Sequence, residues 1–228
     1  MLVIGVLAGF AVPSFLGARN SDFNKEAQVS LTAVLNAATI LYANQGDFSN
    51  TSSSACGDSA TLAAEIQKLE PSIDAVDAST TSSNPLVVSV LAAQTWNSNN
   101  ELLGCQAFYA TALSRSGSCW IARRAVEGKY LAAGSTLPIQ MYAQLNTQRA
   151  NLSSFSLLQV NGNAFAYIRA RSSGADADNT NSLSAVRTAC SAALQGTGSA
   201  GSTANIIKST EFYNSWKDVR AGANGSNS

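Results

Sequence analysis

The apolar positions at the start of the chain predict one long helix. Residues 1–18 carry no charged side chain, and charge first appears at Arg19 and Asp22. Apolar residues then continue at spacings of three and four, which aligns them on one helix face: Phe23, Ala27, Leu31, Val34, Leu35, Ala38, Leu41 and Tyr42. Gly46 is a suitable C-cap, so we expect a helix of about 44 residues, roughly 65 Å long. A single globular domain does not need a helix of that length, so its front half is expected to project.

Glycine and proline interrupt the opening apolar run at Gly5, Gly9 and Pro13, and the proline predicts a kink or a break. A secretory signal peptide would carry a basic region before its apolar core, and this run has none. A plain transmembrane anchor needs about 20 apolar residues, so this run with its internal proline is short. We therefore expect a membrane segment whose beginning lies upstream of Met1.

Beyond the helix, the hydrophobic period becomes strand-like. A Ser-rich loop holding Cys56 leads to a short amphipathic helix near 61–69, which Pro71 ends. Short runs rich in Val, Ile, Tyr and Phe then predict strands at 86–92, 105–113, 118–125, 137–145, 155–160 and 164–171. Asn161-Gly162, between the last two, is the strongest hairpin signal in the chain. Residues 183–194 are expected to form a helix carrying Cys190.

Together these elements predict an α+β fold, in which a long N-terminal α-helix packs on an antiparallel β-sheet. The helix has a projecting apolar half and an amphipathic half. We divide the chain into a projecting hydrophobic helix, residues 1–22, and a globular domain, residues 23–228. The globular domain comprises the amphipathic helix 23–45, a loop 46–85, the sheet 86–171 and a C-terminal extension 172–228.

The charge balance argues against several functions. Only 12% of the 228 residues are charged, and 14 basic residues cancel 14 acidic ones, so no polycation is available to hold a nucleic-acid backbone. Histidine is absent, which removes Ser-His-Asp and Cys-His nucleophiles and Cys/His zinc sites. We therefore expect a protein that is not an enzyme, with no cofactor, no small-molecule substrate and no strong nucleic-acid binding.

Four cysteines stand far apart, at Cys56, Cys105, Cys119 and Cys190, without a C-x-x-C pair. An even number of widely spaced cysteines behind an apolar N-terminus indicates two disulfides formed outside the cytoplasm. Three pairings are open from the spacing alone, and four buried free thiols are the alternative.

Two polar clusters are weak site candidates. Asp176 and Asp178 could donate oxygens to calcium, but the loop lacks the distal glutamate, and a solvated turn is the better interpretation. Arg123-Arg124 with Lys129 could bind phosphate or DNA, and a solvated strand end is favoured instead.

The opening segment LVIGVLAGFAVPSFLGARNSDFNKEAQVSL resembles the N-terminal helix of a type IV pilin. The separation between Gly5 and Pro13 is that of the family's glycine and proline. Later segments, VSLTAVLNAATILYANQGDFS and SGSCW, are similar to the major pilins of actinobacteria and their relatives. The resemblance covers roughly residues 1–125. Aligned on Gly5 and Pro13, the chain is expected to lack about nine residues at its start, and the segment between Cys119 and Cys190 is longer than in such pilins.

The resemblance implies a structural subunit that polymerises through its hydrophobic helix into an extracellular type IV pilus. Its partners would be further copies of itself and the inner-membrane pilus assembly machinery, and it would be inserted in the cytoplasmic membrane before assembly. Two alternatives remain: a type II secretion pseudopilin, and a membrane-tethered extracellular binding domain.

Particular residues acquire roles through the same resemblance. It implies a disulfide Cys119–Cys190, and we favour Cys56–Cys105 as the other pair, which would attach the Ser-rich loop after the helix to the sheet. The resemblance also implies unwinding of the interval from Gly5 to Pro13 in a filament, although the glycines could instead only permit close helix contact. The filament core would be formed by Leu2, Val3, Ile4, Gly5, Val6, Leu7, Phe10, Val12, Pro13, Phe15 and Leu16.

Overall fold

The computed structural model describes residues 2–49, 56, 58–96, 102–126, 129–130, 158–159, 162–170, 179–193, 206–208, 215–217 and 219. Within these ranges, side chains are described for most residues, but not for 2–18 or for the ends of several strands. The predicted strand at 137–145 and the calcium candidates Asp176 and Asp178 lie outside the described residues.

The first element is a helix of 44 residues, α1 (Leu2–Gln45). It is continuous through Gly5, Gly9 and Pro13, so of the kink or break expected at Pro13 the break does not occur, and the kink stays a prediction. A proline removes only one backbone donor, and the turns on both sides keep their own hydrogen bonds. At the other end, Gly46 adopts a φ of +79° and its N–H donates to the carbonyl of Tyr42 at 2.8 Å. The predicted glycine C-cap is therefore confirmed.

The remaining elements are shorter. They comprise the helices α2 (Ser59–Leu69) and α3 (Asn179–Ala189) and the strands β1 (Asp74–Val76), β2 (Val87–Trp96), β3 (Leu102–Leu113), β4 (Cys119–Ala125), β5 (Lys129–Tyr130), β6 (Leu158–Gln159), β7 (Gly162–Ala170) and β8 (Ile206–Lys208). The side chain of Asp58 caps α2 by accepting from the N–H of Ala60 at 3.1 Å. The helix predicted near 61–69 is thus present, and the region expected as a loop at 46–85 also contains β1.

The eight strands form one sheet in the order β6-β5-β2-β3-β4-β7-β8, with β1 beside β2. The pair β1–β2 is parallel and the other pairs are antiparallel, so the sheet is mixed and the prediction of a purely antiparallel sheet is corrected. The hairpin predicted at Asn161-Gly162 is wrong, because β6 pairs with β5 whereas β7 pairs with β4 and β8. Gly162 adopts a φ of +96° as the first residue of β7, a backbone conformation that favours glycine.

Both faces of the central strands are covered. Side chains alternate along β4, so Trp120 packs in the cluster with α1 and α2, while Ile121 packs with Val186 of α3 and with Cys190. The described residues thus form an α+β fold in which the N-terminal helix packs on a mixed sheet. The division between residues 22 and 23 into a projecting helix and a globular domain stays a prediction.

Candidate interaction surface

The sheet-facing side of α1 follows the predicted apolar stripe. From Ala27 to Leu41, residues spaced by three and four are buried against the sheet, among them Leu31, Val34 and Ala38. The heptad-like spacing places these side chains on one face, so the burial of this half of the helix follows directly from the sequence.

The opposite side of α1 lacks charged residues, which is unusual for an exposed helix face. No charged residue occurs between Ala27 and Gly46. Val29 on this side is 67% exposed and Ile40 is 49% exposed. A surface helix of a globular protein normally carries charged residues opposite its buried stripe. This outer face, with Val29, Thr32, Asn36 and Ile40, lacks them.

A groove of about 460 Å³ opens on this outer face. Lys25, Val29, Thr32, Ala33 and Asn36 of α1 line it together with the aromatic ring of Trp216. We refer to it as the α1 groove. On the helix side the lining mixes the apolar Val29 and Ala33 with the polar Lys25, Gln28, Thr32 and Asn36, and an indole forms the other side.

Trp216 is held in place by an aromatic cluster. Its ring centroid lies 4.0 Å from that of Phe165, and 5.6 Å from that of Trp120 in an edge-to-face arrangement. Trp120 in turn lies 5.7 Å from Tyr167. Aromatic pairs in such geometries stabilise beyond their buried area, so one wall of the α1 groove is supported by the sheet.

Hydrogen bonds fasten α1 to the turn between β3 and β4. Asn24 Oδ1 accepts from Ser116 Oγ at 2.6 Å and from the indole Nε1 of Trp120 at 3.1 Å. Arg115 also pairs with Glu26 at 3.1 Å. We refer to Asn24, Ser116 and Trp120 as the Asn24 clasp. It lies a few residues after the uncharged segment 1–18.

The same turn contacts α3 on its other side. Gly117 adopts a φ of +85°, and its N–H donates to the carbonyl of Ser114 at 2.9 Å. A Cβ at Gly117 would lie 2.7 Å from Leu183 Cδ2. The turn therefore needs glycine both for its backbone and for its approach to α3.

Both predicted disulfides are present. Cys56 bonds to Cys105 and Cys119 bonds to Cys190, with sequence separations of 49 and 71 residues. The four cysteines therefore leave no free thiol, and the alternative of buried thiols is wrong. The first disulfide attaches the segment after α1 to β3, and the second attaches the segment after α3 to β4.

Arg123 departs from its predicted place. It was expected at a solvated strand end, but its side chain is only 1% exposed. The reason is the position of β4 inside a sheet with both faces covered, because the residue faces the layer that contains α3. Its neighbour Arg124 is half-buried and donates to Asn163 Oδ1 at 3.2 Å. The side chain of Lys129 lies outside the described residues, so no cluster of these three cations is assigned.

All of the predicted filament-core positions lie within α1. Their side chains lie outside the described residues, so the role assigned to them stays a prediction. Sequence reasoning missed Asn24, Arg115 and Trp216. A tryptophan in a Ser-, Asn- and Gly-rich tail was the available signal for Trp216, since a large ring there needs a packing partner. Nothing local distinguished Asn24 from other asparagines.

Among the residues that the structure describes, no group of three or more Cys, Asp or Glu side chains is placed to hold a metal ion. Over those residues, no helix combines the length and the apolar character needed to cross a bilayer. Comparisons with protein-family models, with curated proteins and with solved structures find no match for this chain.

Proposed function

We propose that this chain is a structural subunit that polymerises through its hydrophobic N-terminal helix into an extracellular type IV pilus. The observation that carries the proposal is α1 itself. One continuous helix joins an uncharged, apolar first segment to a second segment that is buried on a sheet. A single globular domain does not need the first segment for its own core, whereas a polymer can bury that segment between its subunits.

The energetics of the apolar segment favour assembly. Residues 1–18 include 13 apolar side chains besides Pro13. Burying each of the larger ones, Val, Leu, Ile, Phe and Met, stabilises by about 1.5–3 kcal/mol before entropy costs. Neighbouring copies of the same segment offer apolar surface for that burial. A head-to-tail contact that does not close into a ring produces a helical filament.

The proposal includes a location before assembly. In the cytoplasmic membrane, a helical segment satisfies its own backbone hydrogen bonds, so the apolar segment can wait there as a reservoir. The inner-membrane assembly machinery would then transfer it into the filament at the cell surface. The subunit acts by packing and needs no catalytic group or cofactor.

Electron microscopy of sheared cell-surface material, with antibody against this chain, tests the proposal. We expect fibres of regularly staggered subunits that are labelled along their length. The variant Phe10→Glu should lose the fibres, because an unpaired carboxylate would enter the apolar core. The variant Phe10→Leu keeps the segment apolar and is the matched control.

The outcomes separate the alternatives. Short filaments confined to the periplasm would favour a pseudopilin. Chain found only as a membrane-bound monomer would favour a tethered binding domain, and the pilus proposal would fail in both cases.

A further inference from the structure

The net charge of zero conceals a separation of charge along the chain. Residues 47–77 contain six acidic residues and one basic residue, whereas residues 102–228 contain eleven basic and five acidic residues. The fold keeps the two groups apart, because α2 and β1 lie at one side of the sheet and β7 and β8 lie at the other. Each side therefore carries its own sign of charge.

The acidic side has an exposed apolar centre. Leu69 at the end of α2 is 41% exposed, and Leu86 just before β2 is 46% exposed. The carbonyl of Leu86 accepts from the N–H of Asp74 at 2.8 Å. The turn between Leu69 and Asp74 is closed by a bond from the N–H of Ile73 to the carbonyl of Glu70 at 3.1 Å. We refer to Leu69, Glu70, Asp74 and Leu86 as the acidic corner; an apolar centre with a charged rim is typical of a protein–protein contact.

The carboxylates of the acidic corner have no cation beside them within the described part of the chain. Lys68, the single basic residue between positions 47 and 77, pairs with Glu65 at 2.6 Å. Glu70 accepts from the hydroxyl of Ser72, and Asp74 is exposed. Neither Glu70 nor Asp74 forms an ion pair with another described residue. A cation that pairs with them must therefore come from elsewhere.

The other side of the sheet carries cations. Arg169 of β7 is half-buried, and Lys208 belongs to β8, the next strand. Lys217 is exposed, and its neighbour Trp216 packs on Phe165 of β7 at 4.0 Å between ring centroids. Arg169 and Lys217 form no ion pair with the other residues that the structure describes. We refer to Arg169, Lys208 and Lys217 as the basic edge.

The strand register places the two patches at the same level of the sheet. One row of paired residues crosses it, formed by Ala75, Val88, Ala112, Trp120 and Tyr167. Asp74 flanks this row at one side, and Ile168, which pairs with Lys208, flanks it at the other. Five strand-to-strand steps separate Asp74 from Lys208, which amounts to roughly 24 Å at about 4.8 Å per step.

We infer that the acidic corner of one copy of this chain binds the basic edge of a second copy beside it. The two patches are different and lie on opposite sides, so each copy offers one patch to each neighbour and the contact can repeat without closing. Complementary charge orients such a contact and disfavours the reversed arrangement, in which like charges meet. The inference rests on the proposed function, since a filament is what brings copies side by side, and it names a contact of the globular part.

Carbodiimide cross-linking of filaments tests the contact, because this reagent joins a carboxylate to a lysine amine only where the two touch. We expect peptides that join Glu70 or Asp74 to Lys208 or Lys217 in the covalent dimer band of a denaturing gel. The distance across the sheet prevents that bond within one copy. Asp58, at the other end of α2, is the internal control and should stay unlinked.

Charge reversal gives a second test. Glu70→Lys combined with Asp74→Lys should reduce the yield of filaments about tenfold or more, because like charges would then meet across the contact. Adding Lys208→Glu and Lys217→Glu should restore most of the yield, since the signs are again opposite. Unfolding temperatures close to that of the wild type in both variants show that the subunit itself is intact.

The results also distinguish the inference from the proposed function. Wild-type filaments without the expected cross-link, or with Asp58 linked equally well, would overturn the inference and leave the pilus proposal standing. A fourfold variant that assembles no better than the double variant would do the same. If the wild-type chain forms no filament, both fail together. The cross-link together with the restored yield supports both.

Discussion

At the residue scale, Asp77 stabilises the turn that directly follows β1. Its carboxylate accepts hydrogen bonds from the side chains and the backbone N–H groups of Ser79 and Thr80. The side-chain hydrogen bond from Ser79 contributes most to lowering the pKa of Asp77 from its usual 3.8 to about 2, and the bond from Thr80 follows. Since these donors prefer the ionised carboxylate, folding and ionisation of Asp77 support each other.

Asp77→Ala is predicted to destabilise the protein in a pH-dependent way. The folded pKa is depressed, so the stabilisation is fully present above pH 4 and is lost as the pH falls towards 2. We expect the difference in unfolding free energy between wild type and variant to be largest near neutral pH and to shrink at about pH 2. Urea denaturation at both pH values measures it, and an equal difference at both would contradict the assignment.

At the element scale, the Asn24 clasp fixes the path of α1. A single amide oxygen accepts hydrogen bonds from both Ser116 and the buried indole of Trp120, and so ties this part of α1 to β4 and to the turn before it. The ion pair between Glu26 and Arg115 adds little, since the arginine side chain is 59% exposed.

Asn24→Ala should cost about 1–3 kcal/mol of unfolding free energy, because the Trp120 N–H would stay buried without an acceptor. Asn24→Asp keeps an acceptor oxygen and should recover most of that loss. Asn44→Ala, at an exposed position of the same helix, is the matched control and should change stability by less than about 0.5 kcal/mol. Chemical denaturation of the three variants measures these differences. Equal losses in Asn24→Ala and Asn44→Ala would rule the clasp out as a stabilising contact.

Local signals predicted the elements better than their pairing. The C-terminal end of α1 and the position of α2 follow from hydrophobic spacing and from residues just beyond their C-terminal ends, Gly46 and Pro71. The strand β1 was missed because three residues carry too little periodicity. The hairpin at Asn161-Gly162 was wrong because a turn-forming pair of residues does not determine which strand its neighbours join.

At the scale of the whole molecule, two disulfides attach distant segments to the sheet. Their loop lengths enter the chain entropy logarithmically, so separations of 49 and 71 residues should stabilise almost equally, within about 0.3 kcal/mol. Their access to solvent differs. Cys119 and Cys190 are fully buried, whereas Cys56 is half-buried.

Mild reduction of the folded protein is therefore predicted to open Cys56–Cys105 first, since a reducing thiolate must reach a sulfur atom. Alkylation at short times, followed by mass mapping of the peptides, should find label on Cys56 and Cys105 before it appears on the other two. In urea the protected pair becomes accessible, and the order should disappear. Equal labelling rates in the folded protein would contradict the prediction.

The sequence by itself determined the long N-terminal helix, its buried stripe, its glycine cap and the uncharged character of its first segment. These depend on hydrophobic spacing and on hydrogen bonds between residues a few positions apart, so a short stretch of chain contains what is needed. The absence of charge between Ala27 and Gly46 was also visible in the sequence. The sequence did not show that Trp216 lies beside that face of the helix.

Only the tertiary structure decided what surrounds those elements. Asn24 meets Trp120 across 96 positions of the chain, and Trp216 reaches the helix from the other end of the sequence. Arg123 is buried because layers from distant parts of the chain cover both faces of β4. Such contacts depend on which segments the fold brings together, and no local pattern of residues specifies that.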